Sequence, residues 1–193
     1  MSVKNTMIEL IEKFLSEPNE NVGSIHNERA LQLELGLFLR QQGYDVEFEK
    51  PCRVAPHPDQ TKRQKRYLDL FVEGAPTKLA IELKCPFAGR VPETMYDFIA
   101  DIAFTEAILS NNISTSAICL MMTNDSAFWS GRPDGIYEPF RSDATLSGRY
   151  QKPTGARSSQ VFLENRYELQ WKPLGNTKLL KNAQYLLVEV FCT

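Results

Sequence analysis

The sequence predicts an α/β fold, with helices packed on a β-sheet. Three observations predict it. Leu68 to Val72 and Leu79 to Lys84 are β-favouring runs joined by the turn-forming segment Gly74-Ala75-Pro76-Thr77, an antiparallel hairpin. Ser24 to Gly43 and Pro92 to about Ser110 carry apolar residues at helical spacing. Thr115 to Thr123 is a continuous apolar run bounded by turn residues, the pattern of a buried strand reached through a helical crossover.

At 193 residues, 42% hydrophobic and 24% charged, the chain has ordinary globular composition and enough length for a sizeable core, so residues 1–193 read as one domain. Its longest apolar runs fall far short of a bilayer span, and Met-Ser-Val-Lys-Asn carries no hydrophobic signal core. The expectation is a cytoplasmic protein with no membrane partner. Cys52, Cys85, Cys119 and Cys192 are widely spaced with only His26 and His57 to help, which argues for reduced thiols and against zinc. A net charge of −2 argues against a protein that holds nucleic acid by its bulk field, so any such grip must be local.

The elements follow in order. Ile8, Ile11, Phe14 and Leu15 give Met7–Leu15 one apolar helical stripe, and Pro18 cannot continue it. In the long helix from Ser24, stopped by Gly43, apolar residues go most of the way round, so burial on more than one side is expected. There Glu28 and Gln32 lie one turn apart, next to Leu31 and Leu35, the stripe expected to meet the sheet. Glu34 lies about 120° away and is the rival acid. Tyr44 to Lys50 alternates as a strand with one buried face, expected to pair with the strand containing Asp69. Pro51 to Arg66, with Pro56 and Pro58, reads as a loop over the active face. Its Lys62, Arg63, Lys65 and Arg66 are the densest basic cluster in the chain, read either as a solvated loop or as side chains that contact phosphates.

Beyond the hairpin, Pro92 opens a helix with Met95, Phe98, Ile99, Ile102 and Ala103 as its apolar stripe. Asp97 and Asp101 fall on another face, read as solvated or structural. Asn124 to Gly155 reads as a long irregular stretch whose aromatics anchor it to the core more readily than they stack on bases. Gln160 to Trp171 and Gln184 to Phe191 read as strands that extend the sheet or build a lid.

The hairpin carries the chemistry. Strand periodicity puts Glu82 and Lys84 on one face and Leu79, Ile81 and Leu83 on the other. If Glu73 pairs with Lys78, counting back brings Asp69 opposite Glu82. Opposed side chains have Cβ atoms roughly 4.5–5.5 Å apart, where like charges repel, so a cation should sit between them. Mg²⁺ or Mn²⁺ suits, because a hard cation takes oxygen from one or two carboxylates and accepts substrate phosphates. Charges inside so apolar a strand are costly unless used.

Asp69, twelve intervening residues and then Glu82-Leu83-Lys84 resemble the core motif of the PD-(D/E)XK nuclease superfamily, over roughly residues 24–123. Leu68 stands where that motif has proline. The resemblance implies a restriction-endonuclease-like core, a central mixed sheet flanked by α-helices on both sides; outside it, residues 156–193 are read from their own strand pattern as an extension of the sheet. It implies a metal-dependent nuclease in which Asp69, Glu82 and the Leu83 carbonyl hold Mg²⁺ and Lys84 orients or deprotonates the attacking water. An acid of the first core helix completes the shell: Glu28, with Gln32 beside it. Nucleic acid is the expected partner, DNA favoured, and a homodimer is left open. The alternatives are a nuclease-like module that binds nucleic acid or protein without cutting, and an interaction domain whose hairpin charges are solvated.

Overall fold

The computed structural model describes residues 3–17, 25–54, 64–87, 89–154, 159–175 and 181–192. Its elements are α1 (Val3–Ser16), α2 (Glu28–Gln41), β1 (Asp45–Val54), β2 (Gln64–Gly74), β3 (Thr77–Lys84), α3 (Val91–Ser110), β4 (Ser116–Thr123), α4 (Glu138–Arg141), β5 (Leu146–Gln151), β6 (Gln160–Tyr167), β7 (Trp171–Pro173) and β8 (Gln184–Val190). The main sheet has six strands in the order β1-β2-β3-β4-β8-β7, and β5 and β6 form a separate ribbon. Only β3 and β4 are parallel; every other pair in the main sheet is antiparallel, so the sheet is mixed. Among the described residues no helix is long and apolar enough to cross a membrane.

Two apolar layers cover the sheet. On one side Met7, Ile11, Phe14 and Leu15 of α1 join Leu31, Leu35 and Leu39 of α2 against Leu79, Ile81 and Leu83 of β3. On the other, Met95, Phe98, Ile99 and Ile102 of α3 pack on Ala80, Ala117, Cys119 and Met121. Each buried leucine or phenylalanine contributes about 1.5–3 kcal/mol relative to exposure, which makes these two layers the main source of stability. The helices on both sides and the α3 crossover between β3 and β4 agree with the sequence.

Local chemistry sets the boundaries that matter. Helix α2 begins at Glu28 and not near Ser24, because the Asn27 side chain accepts the amide of Ala30 (2.8 Å) and caps the helix. Glu28 therefore sits in the first turn. Gly36 lets α2 settle on β1: a Cβ there would lie 2.4 Å from Phe48 Cζ. The hairpin turn is shorter than the sequence implied, since Gly74 and Thr77 still pair and only Ala75 and Pro76 turn the chain.

Two stretches differ from expectation. Residues 51–54 and 64–66, read as loop, are strand: Pro51 pairs with Tyr67, Cys52 with Arg66 and Val54 with Gln64. Cys52 and Val54 are buried against the α3 layer, and that burial overrides the turn-like composition of the flanking segment. The stretch after Asn124 is also more ordered than its composition indicated. It contains α4 and β5, and Phe128 and Phe140 are core residues. Trp129 lies against Trp171, and Arg141 ties the segment together by donating to the carbonyls of Ala127 and Arg132. Its aromatics are anchors. Glu106 of α3, 3% exposed, docks the β5–β6 ribbon by accepting from the amides of Glu164 and Asn165, the Asn165 side chain and the Tyr167 hydroxyl.

Candidate functional site

The hairpin register is the expected one, with Glu73 opposite Lys78, but the β2–β3 ladder stops at Leu70–Ile81, just before Asp69. There the side chain replaces the main chain: Asp69 Oδ2 accepts the amide of Leu83 at 2.7 Å. The Asp69 carbonyl accepts from Gln32 Nε2 at 2.8 Å. On its other side β2 also skips a partner, since Glu49 and Asp69 are missing from the β1–β2 ladder between the pairs Phe48–Leu70 and Lys50–Leu68.

The cause of the interruption is local. Glu49 has φ of 51°, the left-handed region that costs any residue other than glycine. Across this point the two strands exchange faces: Val46, Leu70 and Val72 lie in the α2 layer, whereas the equally even-numbered Cys52, Val54 and Leu68 lie in the α3 layer. A regular strand would keep all six on one side. The exchange places Asp69 at a twist between two cores, beside β3.

Glu82 follows the expected alternation onto the α3 side and is 4% exposed. Among the described residues its Oε1 has no hydrogen-bond partner. Burial, then the charges of Asp101 and Asp69, push its carboxyl up to about 9. Burial also raises Asp69 to about 6, against the lowering effect of the Leu83 amide and Lys84. The charge of Asp69 thus acts on Glu82, in the direction that opposes its ionisation.

Lys84 spans the two helical layers. Its Nζ is 2.7 Å from Asp101 Oδ2 and 3.8 Å from Glu28 Oε2, and it donates to the Leu83 carbonyl at 3.1 Å. Burial alone would lower the ammonium's pKa; Asp101 and Glu28 outweigh it and hold it above the ordinary lysine value. Glu28 is itself raised, by burial first and by Asp101, with Lys84 opposing. Glu28, and not Glu34, is thus the helix acid within ion-pairing distance of the lysine.

Asp101 is the residue whose importance the sequence understated. It is 3% exposed and holds Lys84 and Arg66 together, with Arg66 Nη2 2.6 Å from Oδ1. Arg66 also donates to the Ala100 carbonyl and lies over the Phe104 ring. Its guanidinium is engaged in an ion pair inside the fold and not extended from a loop. Arg66, Lys84, Asp97, Ala100 and Asp101 line an open cleft of about 300 Å³. Lys62 and Arg63 lie outside the described residues, as does the side chain of Lys65, whose backbone pairs with Arg53.

Asp69, Glu82, Leu83, Lys84, Glu28 and Gln32 therefore converge, and Asp101, Arg66 and Glu49 join them. The only sequence signal for Asp101 was its place one turn after Asp97 on one helix face. Among the described residues no group of three or more His, Cys, Asp or Glu side chains is arranged to hold a metal ion, so a cation here would depend on two carboxylates supplemented by carbonyl oxygen and water. The donor chemistry fits a hard cation, because Glu82 Oε1 is a buried carboxylate oxygen with no donor among the described residues. Comparison with protein-family models, with curated proteins and with solved structures finds no match to this chain.

Proposed function

We propose that this protein is a divalent-cation-dependent phosphodiester hydrolase acting on nucleic acid, with DNA favoured through the resemblance to PD-(D/E)XK nucleases. The observation that carries the reading is Glu82: a nearly fully buried carboxylate, one oxygen unpartnered among the described residues, within electrostatic reach of Asp69. Such an arrangement costs folding free energy unless something cationic uses it.

Asp69, Glu82 and the Leu83 carbonyl would hold Mg²⁺ or Mn²⁺. Bound there, the ion would supply Lewis-acid polarisation of phosphate and a water of lowered pKa. Lys84 acts as a fixed positive charge. Held above the ordinary lysine value by its carboxylates, it cannot accept a proton near neutral pH, so it orients water and offsets charge developing at phosphorus. Asp101 and Glu28 position the ammonium, and Gln32 holds the backbone at Asp69.

One observation favours a second reading. Lys84 and Arg66 share Asp101, an ion-pair network that would serve equally to tie β2 and β3 to α3 in a nuclease-like module that binds without cutting. Incubation of supercoiled, linear and single-stranded DNA, and of RNA, with Mn²⁺ separates the two. Cleavage that disappears in Glu82→Gln supports the hydrolase. Mn²⁺ binding without cleavage of any substrate moves the reading to the module, and no Mn²⁺ binding overturns the cation site.

A further inference from the structure

The β1–β2–β3 ladder is broken at one place, and one side chain from another element bridges the break. Gln32 Nε2 donates to the Asp69 carbonyl at 2.8 Å and to Glu49 Oε1 at 2.9 Å. Both acceptors belong to the residues that the β1–β2 ladder skips. A carbonyl released from a ladder and left partly buried destabilises the fold unless it is paired. The interruption persists because α2 supplies the missing donor.

Glu49 adds an independent sign of constraint. Its left-handed φ of 51° is unfavourable for glutamate, and backbone outliers of this kind persist only where the surroundings hold them. The Glu49 carboxylate accepts from the same Gln32 side chain. The approach of α2 that makes this reach feasible depends on Gly36, one turn further on, where a Cβ would collide with Phe48.

We infer that Gln32 is the positioning residue for Asp69: by pairing the Asp69 carbonyl and the Glu49 carboxylate it holds the strand twist that lays the Asp69 carboxylate on the Leu83 amide. The chain of contacts runs from α2 through Gln32 to Asp69 and on to β3. Without Gln32, the Asp69 carbonyl would seek its partner in the sheet, the skipped pair would close, and the carboxylate would leave Leu83. Gln32 touches no reacting group; it acts through Asp69.

Assigned amide spectra of Gln32→Met, metal-free at fixed pH, test this directly. Methionine keeps the length and removes the donor. The Leu83 amide is bonded to a carboxylate and is therefore expected at low field and protected in the wild type; in the variant it should move upfield and exchange about tenfold faster, the equivalent of one lost hydrogen bond. The amides of Ile81 and of Ile118 on β4, bonded within the ladders, should hold their positions. A general loosening would move all three. Glu49→Ala, at an exposed position, removes one of the two Gln32 acceptors and should shift Leu83 in the same direction by less; it decides the matter if Gln32→Met does not fold. An unchanged Leu83 amide in the folded Gln32→Met protein, or in Glu49→Ala if that is the only folded variant, overturns the inference. The second arm rests on the proposed function: Mn²⁺ affinity should fall about 10- to 100-fold in Gln32→Met, as for a residue supporting a ligand from behind. If wild-type protein binds no Mn²⁺, the proposed function fails, and the Leu83 amide still decides the role of Gln32.

Discussion

Asp69 receives the amide of Leu83 on its carboxylate, Oδ2 to N 2.7 Å, at the point where the β2–β3 ladder ends. A side chain has taken over a main-chain role. This commits one of the two Asp69 oxygens to β3 and ties its position to that of the Glu82-Leu83-Lys84 segment. It also couples the acid's protonation to the fold, because a carboxylate accepts this bond better than a carboxylic acid does.

Glu82→Gln and Asp69→Asn should separate stability from cation binding. In metal-free protein near pH 8, Glu82→Gln should raise stability by about 2 kcal/mol, because it removes a buried acid that folding forces to hold a proton. Both variants should lose most Mn²⁺ affinity. Denaturant unfolding with chelator and calorimetry with Mn²⁺ check this; equal Mn²⁺ affinity in wild type and both variants would remove the metal assignment.

Stability should depend on pH in a stated direction. Asp69 is raised from 3.8 to about 6 and Glu82 from 4.5 to about 9, so between roughly pH 4 and 9 the folded state binds more protons than the unfolded state. Stability contributed by these groups is therefore full below pH 4 and falls as pH rises toward 9. Unfolding midpoints of metal-free protein at pH 5.5, 7 and 8.5 should decrease in that order, and Glu82→Gln should flatten the upper part. Mn²⁺ affinity should rise over the same range, because binding displaces protons.

Lys84→Ala and Asp101→Ala should differ. Lys84→Ala should abolish turnover and leave Mn²⁺ affinity within a few-fold, since the ammonium is not a ligand. Asp101→Ala leaves Lys84 and Arg66, 19% and 32% exposed, without their shared carboxylate, and should cost about 3–5 kcal/mol. Wild-type cleavage by Lys84→Ala would favour the non-cutting module and a purely structural role for the network.

The basic residues should now be tested in two groups. Replacing Lys62, Arg63 and Lys65 together with Ala should weaken DNA binding and flatten the slope of log K against log salt by about 0.9 for each lost phosphate contact, about 1.8 if two of the three side chains touch phosphate. Fluorescence anisotropy on a short duplex measures it. Arg66→Ala should instead act on stability, because its guanidinium is paired with Asp101. An unchanged salt slope in the triple variant would show that this cluster is merely solvated.

Much of the site was legible because it follows from local rules. The two-residue alternation of β3 put Glu82 and Lys84 on one face, and counting from the turn gave the right register. What misled was composition. The prolines and charges flanking residues 51 and 66 resemble a loop, yet Cys52 and Val54 are buried, and tertiary burial outweighs local propensity. Asp101 read as solvated or structural because a sequence does not say what arrives opposite a helix face. Arg66 and Lys84 come to it from two different strands.

By itself, the sequence determined the α/β alternation, the hairpin, the apolar faces of α1, α2 and α3, and the identity of the acids and the lysine, because these depend on spacing along the chain. Tertiary structure alone decided that Asp69 leaves the ladder for Leu83, that Gln32 bridges to Glu49, that Glu28 and not Glu34 approaches Lys84, and that Asp101 is buried. Each of those depends on two elements meeting at a particular twist. The left-handed residue at Glu49 and the bare backbone of Gly36 set that geometry. Neither announces itself in a hydrophobic pattern, since one is a conformation and the other is the absence of a side chain.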